Sequence, residues 1–531
     1  VMKTTDGGLH WETISPDLTG AQPRVRSEKP VGPITVQNAK ARGFGVVYSI
    51  APSPLKAGEI WAGSDTGLLH LTRDGGKTWQ NVTPHDVADW SRVSMIEASR
   101  FDPAVAYAAI DRHRVDDYRP YIYRTRDYGK TWQPIISGIA LTSVNAIRQD
   151  TRKKSLLFAG TELGIYVSFD DGDHWQPLQL NLPVTSMRDI AVHGDDLIVA
   201  THGRSFWILD NMTPLRQIDA QAVNANVLLF QPATALRIDN DVFLGTPLPP
   251  EEPTAKNPPD GAVIDFYLKS QAKDVKLEIF DSGGKLVRHF PGPQRQQENP
   301  PPKAIAERWL PKPVVWKNTP GLHRFAWDLR WSSSGAVQSE EEEAVGAPPG
   351  PRVAPGTYQV KLTVDGSLFM QSLKVAMDPR SQATQTQLEE QQRLGLEIFA
   401  EVRRTRRALG EIGAVKKRLG DLKSQVQGSN PGVLAQVTSL ETEITIIEKG
   451  SKTPIATLGL DTASAGLAAA LRVVEGGDRT VPSQASELYQ QSQEAAKAGI
   501  AEWTKLKSTQ LVQLNHALEI VGISPIQISP N

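Results

Sequence analysis

One eight-residue pattern occurs four times in the first third of the chain: Thr4–Trp11 (TTDGGLHW), Thr72–Trp79 (TRDGGKTW), Thr125–Trp132 (TRDYGKTW) and Ser168–Trp175 (SFDDGDHW). Each copy reads Ser/Thr-x-Asp-x-Gly-x-x-Trp. The chemistry is that of a tight turn between antiparallel strands: the hydroxyl and the carboxylate can accept backbone N–H groups, the glycine takes a positive φ, and the tryptophan is a large apolar plug. A turn used four times implies a repeat. The shortest interval, from residue 125 to residue 168, matches the roughly 40 to 45 residues of a four-stranded propeller blade. Residues 1–215 therefore read as blades of a β-propeller.

Alternation and turn signals place the strands. The first complete blade reads 46–50, 60–64, 68–72 and 78–82. The second reads 95–100, 106–110, 121–125 and 131–135, the third 144–148, 156–161, 165–168 and 174–178. A degenerate unit follows at 189–192, 197–201 and 205–209, where Asp210 and Asn211 no longer form the octapeptide. The first octapeptide arrives at residue 4, so the strands before it in its own blade are expected from a longer protein or a partner chain. From residue 227 the sequence changes to short alternating segments between proline-dense loops (Thr246–Pro250, Pro258–Pro259, Pro300–Pro302), read as an immunoglobulin-like β-sandwich over residues 226–378. The acidic stretch Ser339–Pro351 reads as a solvated loop. After Pro379 the apolar period becomes 3.6: Ile412, Val415, Leu419, Leu422 and Val426; Val433, Val437, Leu440, Ile444 and Ile447; Leu511, Leu514, Leu518 and Val521. Three helices are predicted, with starts at Ser429-Asn430-Pro431 and Pro482-Ser483, forming an antiparallel bundle over residues 384–525.

Bulk composition limits the function classes. Lys+Arg 58 against Asp+Glu 59 leaves a formal charge of −1, so no global field draws the chain to nucleic acid or anionic membrane. The basic stretch Arg403–Arg407 with Lys416–Arg418 is interleaved with glutamates, as on the wet face of a helix. The absence of cysteine excludes disulfides and thiolate chemistry. No apolar run reaches transmembrane length, and no signal peptide is read in this chain.

Several runs carry a resemblance: Gly32–Thr35 (GPIT), Ile60–Asp65 (IWAGSD), Trp90–Arg92 (WSR), Asp111–Tyr123 (DRHRVDDYRPYIY), Ala200–Asp210 (ATHGRSFWILD) and Phe325–Arg330 (FAWDLR). With them the chain resembles the C-terminal part of large bacterial Asp-box (BNR repeat) proteins with sortilin-type propellers, which carry a glycosyl hydrolase or sialidase-like label. The octapeptide is their Asp-box. The resemblance implies export from the cytoplasm, periplasmic, cell-surface or secreted, and a further N-terminal propeller; it supplies no established catalytic residue.

The repeat topology places the candidate sites. The octapeptide turns join strands 3 and 4 and mark one face, while the 2-to-3 turns and the inter-blade connections mark the other. On that second face lie a long loop over residues 16–43 and the enlarged loop Asp111–Arg119. Asp65, Glu162 and His202 fall on equivalent turns. The catalytic candidates are Asp65, Asp111, Asp116, Asp117 and Glu162; the ligand-binding candidates are Arg112, His113, Arg119, His202 and Arg204. Asp6, Asp74, Asp127 and Asp170, with Trp11, Trp79, Trp132 and Trp175, are read as structural, because the turn consumes their carboxylates. Trp61, Trp90 and Trp207 are left open between packing and ligand contact. An ion-pair network within the 111–119 loop is as compatible with these residues as a ligand site. Asp170, Asp171 and Asp173 lack the full spacing of a calcium loop, and no metal or cofactor site is read. Two chemistries remain. One is recognition of a protein, peptide or glycan without catalysis; the alternative is a two-propeller glycoside hydrolase, which needs two carboxyl groups roughly 5 to 9.5 Å apart. A sialidase would need arginines drawn from several blades and a tyrosine nucleophile, whereas Arg112, Arg114, Arg119 and Tyr118 crowd one loop.

Overall fold

The computed structural model describes residues 1–21, 32–238, 251, 255, 257–290, 318–332, 350–428, 430–451 and 457–528. Part of the 16–43 loop (22–31), the prolines at 246–250 and 300–302, most of the acidic loop (339–349) and Ser429 lie outside the described residues. The chain divides into two compact units, Val1–Ala225 and Asn226–Asn531.

The first unit opens with the hairpin β1 (Met2–Lys3) and β2 (Glu12–Thr13), closed by the first octapeptide. Three four-stranded antiparallel meanders follow. They are β3 (Val47–Pro52), β4 (Ile60–Ser64), β5 (Leu69–Thr72) and β6 (Gln80–Asn81); β7 (Arg92–Ala98), β8 (Ala106–Asp111), β9 (Ile122–Thr125) and β10 (Gln133–Pro134); and β11 (Val144–Gln149), β12 (Leu157–Thr161), β13 (Ile165–Ser168) and β14 (Gln176–Pro177). A last sheet has three strands, β15 (Met187–His193), β16 (Asp196–Thr201) and β17 (Phe206–Leu209). This all-β, blade-like arrangement follows the strand pattern of the sequence, with one recurrent difference. The fourth strands shrink to two residues, because Trp79, Trp132 and Trp175 leave the ladder to pack.

Apolar clusters join successive sheets. Leu69 and Leu71 pack with Val93 and Ile96, Ile122 with Val144 and Ile147, and Ile165 and Val167 with Met187 and Ile190. These residues face the neighbour because strand side chains alternate. Each sheet also carries a bulge at one shared register of its innermost strand, between Val47 and Ser49, Val93 and Met95, Val144 and Ala146, and Met187 and Asp189. A bulge adds an unpaired residue and sharpens twist, so Tyr48, Ser94, Asn145 and Arg188 are re-aimed at the same end of every sheet.

In the second unit, β18 (Val227–Leu229), β20 (Ala262–Leu268) and β23 (Gly321–Trp327) form one sheet. β19 (Ala235–Arg237), β25 (Ser367–Met377), β24 (Gly356–Val364), β21 (Val275–Phe280) and β22 (Leu286–Phe290) form a second, in that order. Both sheets feed one core that includes Ile264, Phe266, Trp327, Leu277, Val360 and Leu373. The short strands β18 and β19 lack enough alternating residues to be read from sequence, and β19 pairs parallel to β25.

Among the described residues five helices follow instead of three: α1 (Gln385–Val426), α2 (Pro431–Lys449), α3 (Leu460–Val474), α4 (Ser483–Ser508) and α5 (Gln510–Ile520). The 42-residue α1 begins at a capping box, in which Thr384 Oγ1 accepts Gln387 N–H and Gln387 Oε1 accepts Thr384 N–H at 2.8 Å. Its first half packs Leu394, Ile398 and Val402 with α3 and α4; its second half packs Ile412, Val415 and Leu419 with α2 and α5. The alanine-rich α3 hides from a pattern search because small residues blur the apolar stripe. The last helix breaks at Thr509 (φ −117, ψ −82).

Candidate functional site

At one end of the first unit the octapeptides behave almost identically. In the second copy Thr72 Oγ1 donates to Asp74 Oδ1 (2.8 Å) and accepts Gly76 N–H (2.9 Å), while Thr78 N–H and Oγ1–H donate to Asp74 at 2.9 and 2.6 Å. The same positions bond in the copies built on Asp6, Asp127 and Asp170. These bonds hold the carboxyls of Asp6 and Asp74 down to about 2, chiefly through His10 and Thr78 respectively. Trp79, Trp132 and Trp175 donate Nε1–H to the carbonyls of Ile14, Val82 and Ile135 in the preceding hairpin or sheet, at 2.7 to 2.8 Å. Trp11 donates to Gly8 in its own turn and is 57% exposed. Asp171 and Asp173 pair with Arg124, and Asp171 also with Arg126 (2.7 Å), an arrangement that ties sheets rather than opening a cation loop.

The opposite end, the rim, holds the bulges. By register, Asp65, Asp111, Glu162 and His202 occupy equivalent positions at the ends of β4, β8, β12 and β16. Three of them donate backbone N–H to the start of the inner strand: Asp65 to Val46 (3.0 Å), Glu162 to Ser143 (3.0 Å) and His202 to Ser186 (2.8 Å). Asp111 pairs in register with Arg92. The bulged residues reach across the same end. Tyr48 lies under the Arg92 guanidinium (5.0 Å), Ser94 donates to Ala109 or Val144 carbonyls, Asn145 Nδ2 donates to Glu162 (3.0 Å) and Ser186 Oγ (3.2 Å), and Arg188 pairs with Glu162 (3.2 Å).

The charges of the rim are matched closely. Asp111, with its side chain fully buried, bonds Arg92 and takes His113 Nδ1 at 2.6 Å and His113 N–H at 2.9 Å. Burial pushes its carboxyl up, but the His113 bonds and the Arg92 charge outweigh burial and hold it below the ordinary range. Asp117 accepts Arg119 Nε (2.9 Å) and Nη2 (2.8 Å), Tyr121 OH (2.8 Å) and Arg112 Nε (3.0 Å) and is held well below that range, chiefly by Arg119. Arg112 also donates to Ser91 Oγ. Arg114 donates to the Asp65 carbonyl at 3.2 Å, and its Nη1 lies 3.7 Å from the Asp65 carboxylate. Asp116, left-handed at φ 58, is exposed and its carboxylate has no bond among the described residues. His202 and Arg204 are exposed at the tip of the last 2-to-3 turn; Trp207 Nε1 donates to the Arg204 carbonyl. Trp61 is fully buried and packs edge-on against Trp132 (6.0 Å), so it belongs to the core. Trp90 sits at φ 62 beside the rim.

The loop residues named from sequence thus meet partners that sequence did not single out, Tyr48, Asn145 and Arg188 on bulges. Aligning the four repeats and noting which residue begins each inner strand is the signal that finds them. A cavity of about 260 Å³ lined by Glu97, Arg100, Arg148, Gln149, Thr151, Ala191 and Val192 lies at the other end of the inner strands. There burial pushes the Glu97 carboxyl up against the pull of Arg148, which pairs with it at 2.9 Å.

No protein-family model matches the chain, and no curated protein matches it. Among solved structures it is similar to a GH74 enzyme of Niastella koreensis (15% identity, 29% of this chain and 26% of that one, TM-score 0.25). It is also similar to YCF48 from Cyanidioschyzon merolae (21% identity, 32% and 54%, TM-score 0.25) and to YCF48 bound to D1 peptide (16% identity, 45% and 66%, TM-score 0.24). The chain thus spans about a quarter of the length of the GH74 enzyme and about half of the Cyanidioschyzon protein. At these TM-scores the likenesses carry no argument; the blade register does. No helix among the described residues is long and apolar enough to cross a membrane.

Proposed function

We propose that the chain is an extracytoplasmic recognition scaffold. Its Asp-box propeller blades (1–215) present the rim to a protein, peptide or glycan, and an immunoglobulin-like sandwich (226–378) and a helical bundle (384–525) act as spacer and docking modules. The observation that carries this reading is the pairing of the rim carboxylates: Asp65, Asp111, Asp117 and Glu162 each lie against an arginine. A glycosidase acid must keep its proton near neutral pH, which requires a raised pKa. Asp111 and Asp117 are shifted the other way. Carboxylates neutralised in place leave a rigid, hydrogen-bonding surface suited to holding a ligand.

One observation favours the glycoside hydrolase as a second reading: Asp116 projects an unpaired carboxylate from the enlarged loop. A glycan and peptide array with this chain, followed by reducing-end assay of every glycan bound, separates the two. Binding without sugar release, weakened by Arg112→Ala or Arg119→Ala, is the expected result. Release that disappears in Asp116→Asn or Asp65→Asn would overturn it in favour of the hydrolase.

A further inference from the structure

The residue before the second strand of each sheet is aliphatic and buried in the second and third sheets. There Val105 (4% exposed) and Leu156 (fully buried) join the clusters that weld each sheet to the next. Both sit in the same loop closure, accepting Ser99 N–H (3.0 Å) and Asp150 N–H (2.9 Å) at their carbonyls. The first sheet repeats that closure, with Ser53 N–H donating to the carbonyl of residue 59 at 2.8 Å. The residue is Glu59. Its side chain is as buried as its aliphatic counterparts, and neither carboxylate oxygen has a hydrogen-bond partner among the described residues. The charged groups around it are Arg73, whose Nε stands 3.9 Å away, and Lys56; the Ser53 side chain is an uncharged polar neighbour. Arg73 lies with its guanidinium 3.8 Å over the ring of Tyr128, in the octapeptide turn of the second sheet.

We propose that the joint between the first two sheets is a proton-operated latch, in which a buried glutamic acid stands where the second and third sheets place an aliphatic weld. In the closed joint Glu59 is an uncharged buried side chain two residues before Trp61, whose ring packs edge-on against Trp132 of the second sheet. On losing its proton it becomes a buried anion without hydrogen bonds, which is relieved by turning toward Arg73 and drawing that guanidinium from Tyr128. The same strand carries Glu59 at one end and Asp65 at the other, and Asp65 is where Arg114 of the second sheet reaches the rim. Loosening the joint therefore alters the spacing of the first two rim loops.

The sign follows from linkage. Burial pushes the Glu59 carboxyl up from 4.5 against the pull of Arg73. The joint's stability is fully present below that ordinary value and is lost as pH rises through the raised folded value. Hydrogen exchange of this chain between pH 5 and 8, corrected for intrinsic rate, reads the opening directly in peptides covering residues 53–64 and 126–134. The opening constant is expected to rise by up to roughly tenfold per pH unit between the ordinary carboxyl value and the raised folded value, and to level off once Glu59 is ionised in the closed joint as well. Both Glu59→Val and Glu59→Gln should flatten that rise, while peptides of the third and fourth sheets, which carry the Arg148 partner of Glu97, keep in the variants whatever pH dependence they have in the parent chain. Should the valine variant not fold, the glutamine variant decides. An opening constant that does not change with pH in the parent chain, or that rises equally in Glu59→Gln, overturns the latch.

Discussion

The two ends of the same four sheets are built on opposite plans. At the octapeptide end, Asp6, Asp74, Asp127 and Asp170 spend their oxygens on a hydroxyl and an N–H within eight residues, so each turn is complete by itself. At the rim, equivalent backbone positions carry Asp65, Asp111, Glu162 and His202, and each of the three carboxylates finds a partner of its own, some from distant strands, such as Arg92 for Asp111 and Arg188 for Glu162. Local closure lets a turn repeat without change. Pairing across strands lets each loop differ while the scaffold stays fixed, which is the usual division between framework and recognition surface.

Changes at each end test that contrast, beginning with the octapeptide plug. Trp175→Ala removes a ring that is 4% exposed together with its bond to Ile135, and should cost about 3–5 kcal/mol in denaturant unfolding. Trp11→Ala, in the copy whose ring stays in its own turn, should cost no more than about 0.5 kcal/mol. Equal losses would break the view that the tryptophan acts by bonding to the preceding sheet. At the rim, Arg92→Met strands the buried Asp111 carboxylate, and a loss of about 3 kcal/mol is expected. Recovery in the double variant with Asp111→Asn, seen as a coupling energy, would sharpen the assignment; additive losses would remove it.

Smaller effects concern pH and affinity. Asp74 has a folded pKa near 2 against an ordinary 3.8, so its contribution is present above the ordinary value and disappears as pH falls toward 2. The acid limb of the melting temperature measured from pH 5 to 2 should be shallower in Asp74→Asn. The smallest change in stability is expected for Arg119→Ala, whose side chain is 68% exposed, at about 0.5 kcal/mol or less. Its visible consequence should be weaker ligand binding at unchanged melting temperature. A large drop in stability instead would move the loop from recognition to framework.

What the sequence disclosed follows from how local each feature is. The octapeptides and the strands flanking them are written in contiguous residues, so their positions are legible; Ile60–Ser64 and Ile165–Ser168 have the bounds that alternation predicts. The bulges are not legible, because an extra residue in one strand is defined only against its partner's register. Nor is the role of Glu59, which reads as one more loop acid until it is aligned with Val105 and Leu156. The 111–119 loop was visible as a dense run of charge, while its resolution into Arg112–Asp117–Arg119 and Arg92–Asp111–His113 needed the third dimension. The division of the helical region was missed where side chains are small or polar: alanines in α3 and the glutamine-rich start of α1.

The 42-residue helix α1 has a mechanical consequence. At a rise of about 1.5 Å per residue it is about 63 Å long, roughly twice the diameter of a small domain. One apolar core grips its first half and another its second, so neither core can melt without exposing part of the shared rod. A load or a docking event at the Gln385 end is therefore transmitted as a displacement at the Val426 end, and the helical region acts as a single stiff strut.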